Sequence, residues 1–228
     1  MKVIVISLGG SVFIPNYVDY NFLDKFRELV LKLKNYKFVI VLGGGGIARK
    51  YLKPMKKKRL DVNERSRFGF EATRLNALFL MKYFGKIANE DNPKSMKEVK
   101  NLLRKNKVVV CGGLRFAKKS TSDWTAAKLA NYLGTEFVNL TDVDGLFSKD
   151  PNKFKDAKLV SSINYDDFYS ILNKIKYKPG QHFVLDQLAS RIIRKHNIRT
   201  VILNGHRLKN FESYLKGKKF RGTVICKS

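Results

Sequence analysis

Residues 3–11 read VIVISLGGS, an apolar run that ends abruptly at two glycines. The same pattern returns at residues 38–46, FVIVLGGGG, and at residues 108–113, VVVCGG. Apolar runs of four to six residues are typical of buried parallel strands. A glycine directly after a strand lets another group approach the backbone, and the N–H groups of such a turn and of the following helix can bind phosphate. Three such turns predict a site that binds more than one phosphate group.

The rest of the chain alternates between helix and strand patterns, which implies a mainly parallel sheet with right-handed crossovers. We predict a three-layer α/β/α sandwich around a central, mainly parallel sheet of about eight strands. The basic stretch 55–65 is predicted as a loop or lid. Helices are predicted at 21–33, 47–53, 68–84, 95–105, 122–133, 165–175, 186–195 and 208–216, and strands at 3–8, 38–42, 108–111, 137–140, 200–203 and 224–226.

Length and composition favour one α/β domain with a sizeable core. The chain has 228 residues, of which 44% are hydrophobic, and this excludes disorder as the default. It opens directly on a strand, with one lysine and about six apolar residues ahead of the glycines, so we expect neither a signal peptide nor a membrane span. Cys111 and Cys226 lack metal-ligand spacing, which predicts reduced cysteines in a cytoplasmic protein and no metal site built by side chains.

The charge is strongly positive, with 46 Lys and Arg against 19 Asp and Glu and a formal net charge of +27. Such a field attracts polyanions, including nucleic acids and nucleotides. The basic residues are dispersed, with dense groups only at 56–59 and 118–119, and no nucleic-acid-binding motif accompanies them. We therefore expect anionic substrates, and no nucleic acid as a specific partner.

The third glycine turn leads into residues 118–123, KKSTSD, directly before a predicted helix. Lysines, hydroxyl groups and a helix N-terminus together are suited to binding an anion. Asp123 has two interpretations here. It is either an N-cap or first-turn acid of the helix, or an acid that orients reactive groups in a phosphate-rich pocket.

Two further places are candidates for ligand binding. Residues 141–151, TDVDGLFSKDP, follow a strand, where α/β sheets bind ligands, and Phe147 could pack against a base while Asp150 accepts a hydrogen bond; an ordinary turn is the alternative. Arg49 lies three residues past the four glycines and could reach a phosphate, although a surface position is the alternative. Neither GxxxxGK[ST] nor a Rossmann GxGxxG is present, which argues against a P-loop enzyme and against dinucleotides.

Six motifs taken in order carry a resemblance to a known family: LGGS (8–11), GGGGIARKY (43–51), TRLNA (73–77), STSDWTAAKLA (120–130), TDVDGLFSKDP (141–151) and GQHFVLDQLASRII (180–193). Together they resemble the amino acid kinase family, in particular its archaeal members that phosphorylate UMP, over essentially the whole chain. The resemblance implies transfer of the ATP γ-phosphoryl group to UMP, giving UDP and ADP, with Mg²⁺, in pyrimidine biosynthesis. It also implies a homo-oligomer, a hexamer built from dimers.

The resemblance also implies which residues form the site. Residues 1–135 would mainly bind the acceptor and residues 136–228 mainly ATP, within one domain spanning 1–228. Asp123 and Arg49 would be catalytic, with Asp123 organising the surroundings of the transferring group. The ATP side would consist of Ser7, Leu8, Gly9, Gly10, Ser11, Gly45, Arg49, Thr141, Phe147 (beside the adenine) and Asp150, and the UMP side of Gly44, Ser66, Gly113, Leu114, Lys119, Ser120 and Thr121.

The chain departs from the family pattern at three positions. Ser7 stands where the family often has Lys or Asp, and Ser66 where it has a ribose-binding Asp. The turn 114–120 is about two residues longer than usual and carries extra basic residues. Two alternatives stay open. The Ser66 departure leaves open another kinase of this family acting on a small phosphate or carboxylate, and the net charge of +27 leaves open a nucleic-acid-binding protein on the same scaffold.

Overall fold

A computed structural model describes residues 1–55, 58, 60–117, 121–151, 153–174 and 184–227. Seven strands form one sheet in this part of the chain. No helix within these residues is long and apolar enough to cross a membrane. The strands are β1 (Lys2–Leu8), β2 (Tyr36–Leu42), β3 (Val108–Cys111), β4 (Phe137–Thr141), β5 (Ser162–Asn164), β6 (Thr200–Asn204) and β7 (Thr223–Cys226).

The helices follow the strands in the alternating order that the sequence predicts. Most bounds differ from the predicted ones by only a few residues. The helices are α1 (Gly10–Phe13), α2 (Tyr20–Lys32), α3 (Gly45–Met55), α4 (Val62–Phe84), α5 (Met96–Lys105), α6 (Ser122–Leu133), α7 (Tyr165–Lys174), α8 (Gln187–His196) and α9 (Leu208–Leu215).

The sheet has the strand order β3-β2-β1-β4-β6-β7-β5. The five strands from β3 to β6 are mutually parallel, and β7 runs antiparallel to β6. β1 lies near the middle and pairs with β2 over its whole length and with β4 over its last four residues. The carboxyl ends of five neighbouring strands therefore meet at one edge of the sheet.

Two apolar cores cover the two faces of the sheet and make the fold three-layered. Side chains alternate between the faces of a strand, so Ile4 and Ile6 of β1 pack in one core and Val5 in the other. Helices α2, α4 and α9 cover the first face, and α5, α6, α7 and α8 cover the second. The predicted α/β/α sandwich is confirmed, with seven strands in the described residues rather than about eight.

The prediction of a loop across 55–65 is wrong at both ends, because α3 continues through Pro54 to Met55 and α4 begins at Val62. The Asp61 carboxylate accepts from the backbone N–H of Asn63 and Glu64, and the Glu64 side chain accepts from the N–H of Asp61. This reciprocal capping box satisfies the free N–H groups at the helix start and extends the helix by almost two turns. Two short elements, α1 and β5, were also not predicted, since four and three residues carry too little periodicity.

Candidate active site

The first two glycine turns, after β1 and β2, touch each other through their backbones. A Cβ atom placed on Gly10 would lie 2.2 Å from both the Cα and the N atoms of Gly45. One placed on Gly43 would lie 2.7 Å from the N atom of Gly10. Gly45 also has a φ of 58°, which favours glycine. No side chain fits between the turns, so they form one continuous backbone surface.

The predicted ATP residues at the end of β1 have distinct environments. The Leu8 side chain is buried in the apolar core, so any contact it makes with a nucleotide is through its backbone. The Gly9 N–H donates to the carbonyl of Leu140 at 2.9 Å, which joins this turn to β4. Gly10 and Ser11 begin α1, and Ser11 is half-buried.

Ser7 is fully buried in β1 and points to α6 rather than to open space. Its Oγ donates to Oδ1 of Asp123 at 2.6 Å. Asp123 is not the N-cap of α6: that position belongs to Thr121, whose Oγ1 accepts from the N–H of Trp124 at 3.0 Å. Asp123 lies in the first turn, and its carboxyl reaches across to β1. Of the two interpretations of Asp123, a helix-terminus role alone does not account for this contact.

The Asp123 carboxyl is held where ionisation is unfavourable. Burial, followed by the nearby Asp186 carboxyl, raises its pKa to about 7, and the hydrogen bond from Ser7 acts in the opposite direction. The pKa of Asp186 is also raised, chiefly by burial. A carboxyl with such a pKa, next to the strand that leads into the first glycine turn, is a candidate for a functional site.

Arg49 lies in α3, one turn after the glycines, as the sequence suggests. Its side chain is exposed, and Nη2 donates to the carbonyl oxygen of Pro15 at 2.7 Å. The neighbouring Lys50 donates to the carbonyl of Asn16 at 2.8 Å. In this structure the Arg49 guanidinium therefore rests on the loop that follows α1, beside the joined turns.

The third glycine turn, after β3, is fastened to α4. The Gly113 N–H donates to Oγ1 of Thr73, and its carbonyl accepts from Nη1 of Arg74, both at 2.9 Å. Both polar backbone groups of Gly113 are thus already paired. A Cβ atom on Gly113 would lie 2.4 Å from the Phe70 ring, so glycine is needed for this close packing.

The TRLNA motif also fastens the second turn, a role that the sequence reading missed. The Asn76 amide donates to the carbonyl oxygens of Gly43 and Gly44, at 2.8 and 3.1 Å. Thr73, Arg74 and Asn76 thus hold the turns after β2 and β3 against one helix. Their spacing of one and three residues fits within a single turn of a helix. Only the fold shows that the glycine turns after β2 and β3 both lie beside this helix.

The other predicted acceptor residues are spread along α4 and the third turn. The Ser66 Oγ donates to the carbonyl oxygen of Val62 at 2.7 Å, within the helix. Leu114 is half-buried against the core on the α5–α8 face. Lys119 and Ser120 lie outside the described residues.

An aromatic and cationic cluster on this side was not predicted. The rings of Phe70 and Phe116 meet edge to face at 5.7 Å, and the guanidinium of Arg67 lies 5.7 Å from the centre of the Phe116 ring. Phe116 belongs to the turn that begins at Leu114, and this turn brings an aromatic ring onto α4. Arg67 and Phe70 have the i, i+3 spacing of helix neighbours, but nothing in the sequence links Phe116 to them, which is why the cluster could not be predicted.

The predicted ATP-side loop begins at Thr141, at the end of β4. The Thr141 carbonyl accepts from the N–H of Gly205 at 2.8 Å, which joins it to the end of β6. Phe147 is half-buried and pairs with Leu159 in an isolated bridge. Asp150 is exposed, with its carboxylate 3.7 Å from Nζ of Lys153.

A buried acid holds this loop in place. Asp144 is 9% exposed, and its carboxylate accepts from Nε of Arg221 at 2.6 Å and from the Asn204 amide at 3.2 Å. It also forms an ion pair with Nε of Arg207 at 3.2 Å. The sequence reading singled out the loop but not these partners, since they lie at least 60 residues further along the chain.

Comparison with known proteins identifies the family of this chain. Residues 2–204 match the model of the amino acid kinase family. A uridylate kinase from Methanoregula boonei is 34% identical, over 99% of this chain and 96% of its own, and one from Methanobrevibacter smithii is 30% identical, over 98% and 99%. The crystal structure of the uridylate kinase from Archaeoglobus fulgidus is similar, with a TM-score of 0.84, 32% identity and 99% and 100% coverage. The chain belongs to the amino acid kinase family.

Proposed function

We propose that the chain is a UMP kinase, a nucleoside monophosphate kinase that transfers the γ-phosphoryl group of ATP to UMP and yields UDP and ADP for pyrimidine nucleotide biosynthesis. The observation that carries this proposal is the backbone contact between the turns at Gly10 and Gly45. This contact places the turn after β1 against the turn after β2. Of these two strands, β1 also neighbours β4, and β2 also neighbours β3. Two phosphorylated ligands bound to these turns would meet end to end.

The chemistry suits this geometry. Phosphoryl transfer depends on positioning and on neutralising charge, not on a nucleophilic side chain. The N-terminus of α3 begins at Gly45 and favours negative charge. Arg49 would leave the Pro15 carbonyl to bind a nucleotide phosphate, because a phosphate carries negative charge and can accept two parallel hydrogen bonds from a guanidinium, whereas the carbonyl is neutral.

Asp123 would act as the organising acid of the site. Its carboxyl sits at the start of α6, fixed by the Ser7 hydroxyl, and as a carboxylate it can orient cationic groups around the transferring phosphoryl group. Ser7 thus contributes by holding Asp123, whatever backbone contact it makes with ATP.

Mg²⁺ is proposed as the partner of the ATP phosphates. In the described part of the chain no group of three or more His, Cys, Asp or Glu side chains could hold a metal ion. We propose that phosphate oxygens and water supply most of the Mg²⁺ ligands.

The acceptor would lie between the turns at Gly44 and Gly113, along α4. A Cβ on Gly44 would lie 3.6 Å from the carbonyl oxygen of Gly69, so the helix borders this turn as it borders Gly113. We propose that UMP contacts Gly44, Leu114 and Ser66, together with Lys119, Ser120 and Thr121 of the long turn. These acceptor contacts belong mainly to residues 1–135.

Arg67 is a candidate for binding the acceptor's anionic groups. Its guanidinium lies over the Phe116 ring and forms no ion pair with any residue that the structure describes. Substituting Arg67 with Gln should raise KM for UMP and leave KM for ATP unchanged. Arg65→Gln, on the same helix, is the matched control.

ATP would bind across the ends of β1, β4 and β6, mainly through residues 136–228. Thr141 and the backbone of Gly9 lie at this edge, and Phe147 and Asp150 stand in the loop that Asp144 fixes. We propose that Phe147 packs against the adenine and that Asp150 accepts from it or from the ribose.

The proposed function is tested by measuring ADP release with UMP, CMP, dUMP and small phosphate or carboxylate acceptors. We expect UMP to give the highest kcat/KM. Phosphorylation of a small phosphate or carboxylate in place of a nucleoside monophosphate would favour another kinase of the family. Ser66 keeps this alternative open, because its hydroxyl donates to the Val62 carbonyl and it offers no carboxylate to a ribose. No phosphorylation of any acceptor would contradict the proposal.

Asp123→Asn tests the organising acid. We expect kcat to fall at least about tenfold, with KM for both nucleotides changed less, because the change preserves shape and removes charge. Asp19→Asn, at the start of α2, is the control for an acid in a helix terminus. Unchanged turnover in Asp123→Asn would reduce Asp123 to a structural role.

We also propose a cytoplasmic homo-oligomer, with nucleic acid not a specific partner. Three apolar residues on the outer face of α4 are exposed: Phe68 by 42%, Leu75 by 51% and Leu78 by 39%. Their spacing of seven and three residues puts them on one helical face, suited to a second copy of the chain. Light scattering should give a dimer-based oligomer, with a hexamer expected, and Leu75→Lys should lower its mass.

A further inference from the structure

The sequence motif at residues 180–193 contains an acid, Asp186, that the proposed mechanism does not use. Asp186 stands at the start of α8, and Thr121 stands at the start of α6. The two helices pack against the same face of the sheet, and their N-termini meet beside Asp123. This meeting point joins the half of the chain that contains β1–β3 to the half that contains β4–β7.

The Asp186 carboxylate is held by three donors. Oδ1 accepts from the N–H groups of Leu188 and Ala189, at 2.7 and 2.9 Å. Oδ2 accepts from the Thr121 hydroxyl. Since Thr121 Oγ1 in turn accepts from the Trp124 N–H, one hydroxyl links the caps of both helices.

The loop that leads to Asp186 is anchored as well. The side-chain amide of Asn139, a buried residue of β4, donates to the carbonyl of Val184. Val184 and Leu185 are themselves buried in the core. Asp186 therefore has a fixed position relative to the sheet, and through Thr121 it fixes the first turn of α6.

Asp123 faces two groups from other elements, the Ser7 hydroxyl of β1 and the Asp186 carboxyl of α8. Within the residues that the structure covers, neither acid forms an ion pair with Lys or Arg. Two partly buried carboxyls that face each other without a cation disfavour double ionisation, and favour uptake of a proton or a cation.

We propose that Asp186 is a positioning residue for phosphoryl transfer, which holds the start of α6, and with it Asp123, in register with β1 and α8. This inference rests on the proposed function, in which Asp123 organises the reacting groups. It assigns to the 180–193 motif a role in catalysis without contact with the substrates.

Asp186→Asn is the informative variant, because Asn caps helices as well as Asp does. The new amide would present N–H groups to Thr121 and so break the Thr121 donation, while the like charge beside Asp123 disappears. We expect kcat to fall about tenfold or more through misplacement of Asp123. KM for ATP should change by less than about threefold.

The pH dependence of kcat distinguishes a role of Asp186 in positioning Asp123 from an effect on the stability of the fold alone. Without the like charge, Asp123 ionises more easily, so the acidic limb of kcat should move to lower pH by about one unit. Asp19→Asn changes another N-cap acid and should leave both the limb and kcat unchanged. An Asp186→Asn variant with wild-type kcat and an unmoved limb would overturn the proposal.

A double variant tests whether Asp186 acts through Asp123. In the Asp123→Asn background, adding Asp186→Asn should lower kcat by less than about a further twofold. If the two residues acted independently, their separate losses in kcat would multiply. Multiplied losses would contradict the proposal.

A binding-independent measurement keeps this test separate from that of the UMP kinase proposal. If wild-type protein phosphorylates no acceptor, the proposed function fails, but the Asp123 titration remains measurable by carboxyl-carbon NMR. Its midpoint should be lower in Asp186→Asn than in wild type. An equal midpoint would overturn the coupling between the two acids, whatever reaction the protein catalyses.

Discussion

Adding one methyl group at Gly10 should separate the two turns on which the site depends. The Cβ of Gly10→Ala would lie 2.2 Å from Gly45, whereas ordinary contact begins at 3.4 Å. The turns must therefore part by roughly 1 Å, against backbone atoms that cannot rotate away. Overpacking of this kind costs about 2–3 kcal/mol. Gly10 does not have a positive φ, so sterics alone account for the loss.

Two other glycines provide matched controls. Gly69 lies inside α4 with nothing within 4 Å of an added Cβ, so Gly69→Ala should stabilise the protein by about 0.5–1 kcal/mol. Gly134 also has open space but a φ of 61°, so Gly134→Ala should cost about 1 kcal/mol through backbone strain. The order of stability should be Gly69→Ala, wild type, Gly134→Ala, Gly10→Ala.

Urea unfolding and calorimetry measure this series. For a chain of this size, the loss at Gly10 corresponds to a fall in Tm of about 5–10 °C. The affinities of the folded variant for ATP and for UMP, measured by titration calorimetry, should both fall, because the two proposed phosphate sites share the contact between the turns. A Gly10→Ala protein as stable as wild type, with unchanged nucleotide binding, would refute the argument that the turns are in direct contact.

Three further outcomes follow from other contacts. Ser7→Ala removes the hydrogen bond that lowers the pKa of Asp123, so that pKa should rise above about 7 and the acidic limb of kcat should move to higher pH, measured as a pH–rate profile. Asp144→Asn should loosen the ATP-side loop and raise KM for ATP about three- to tenfold, with KM for UMP unchanged in steady-state kinetics. Burial raises the pKa of Cys111 to about 12, so a disulfide reagent should modify it only after unfolding, while the partly exposed Cys226 reacts in the native protein.

The sequence predicted those parts of the fold that depend on local pattern. Apolar runs ending in glycine located β1, β2 and β3, because a buried strand and a tight backbone approach both restrict the residue types allowed. The three-layer arrangement followed from the alternation of elements. Helix α1 and strand β5 were not predicted because four and three residues are too few to repeat a helical or a strand period twice.

Contacts of the site depend on long-range pairing, and there the sequence was less informative. Asp123 and Ser7 are 116 residues apart, and Thr121 and Asp186 are 65 apart. Their residue types are common at helix starts and in strands, so nothing local indicates that they meet. The family resemblance supplied candidates for the site, but the pairing of Gly113 with α4 emerged only from the packed structure.

The strand order has a consequence for how the chain could be assembled. β1, β2 and β3 lie together on one side of the sheet, and β4 to β7 on the other. The first part of the chain therefore forms one half of the sheet, and the second part forms the other half. A break in the backbone near Gly134 would sever no strand pair within either half. The two fragments would rejoin along β1–β4 and along α6–α8, and only their reassembly would return Asp123 to Asp186. If the chain is split at this point, recovery of turnover on mixing would show that the two fragments have associated.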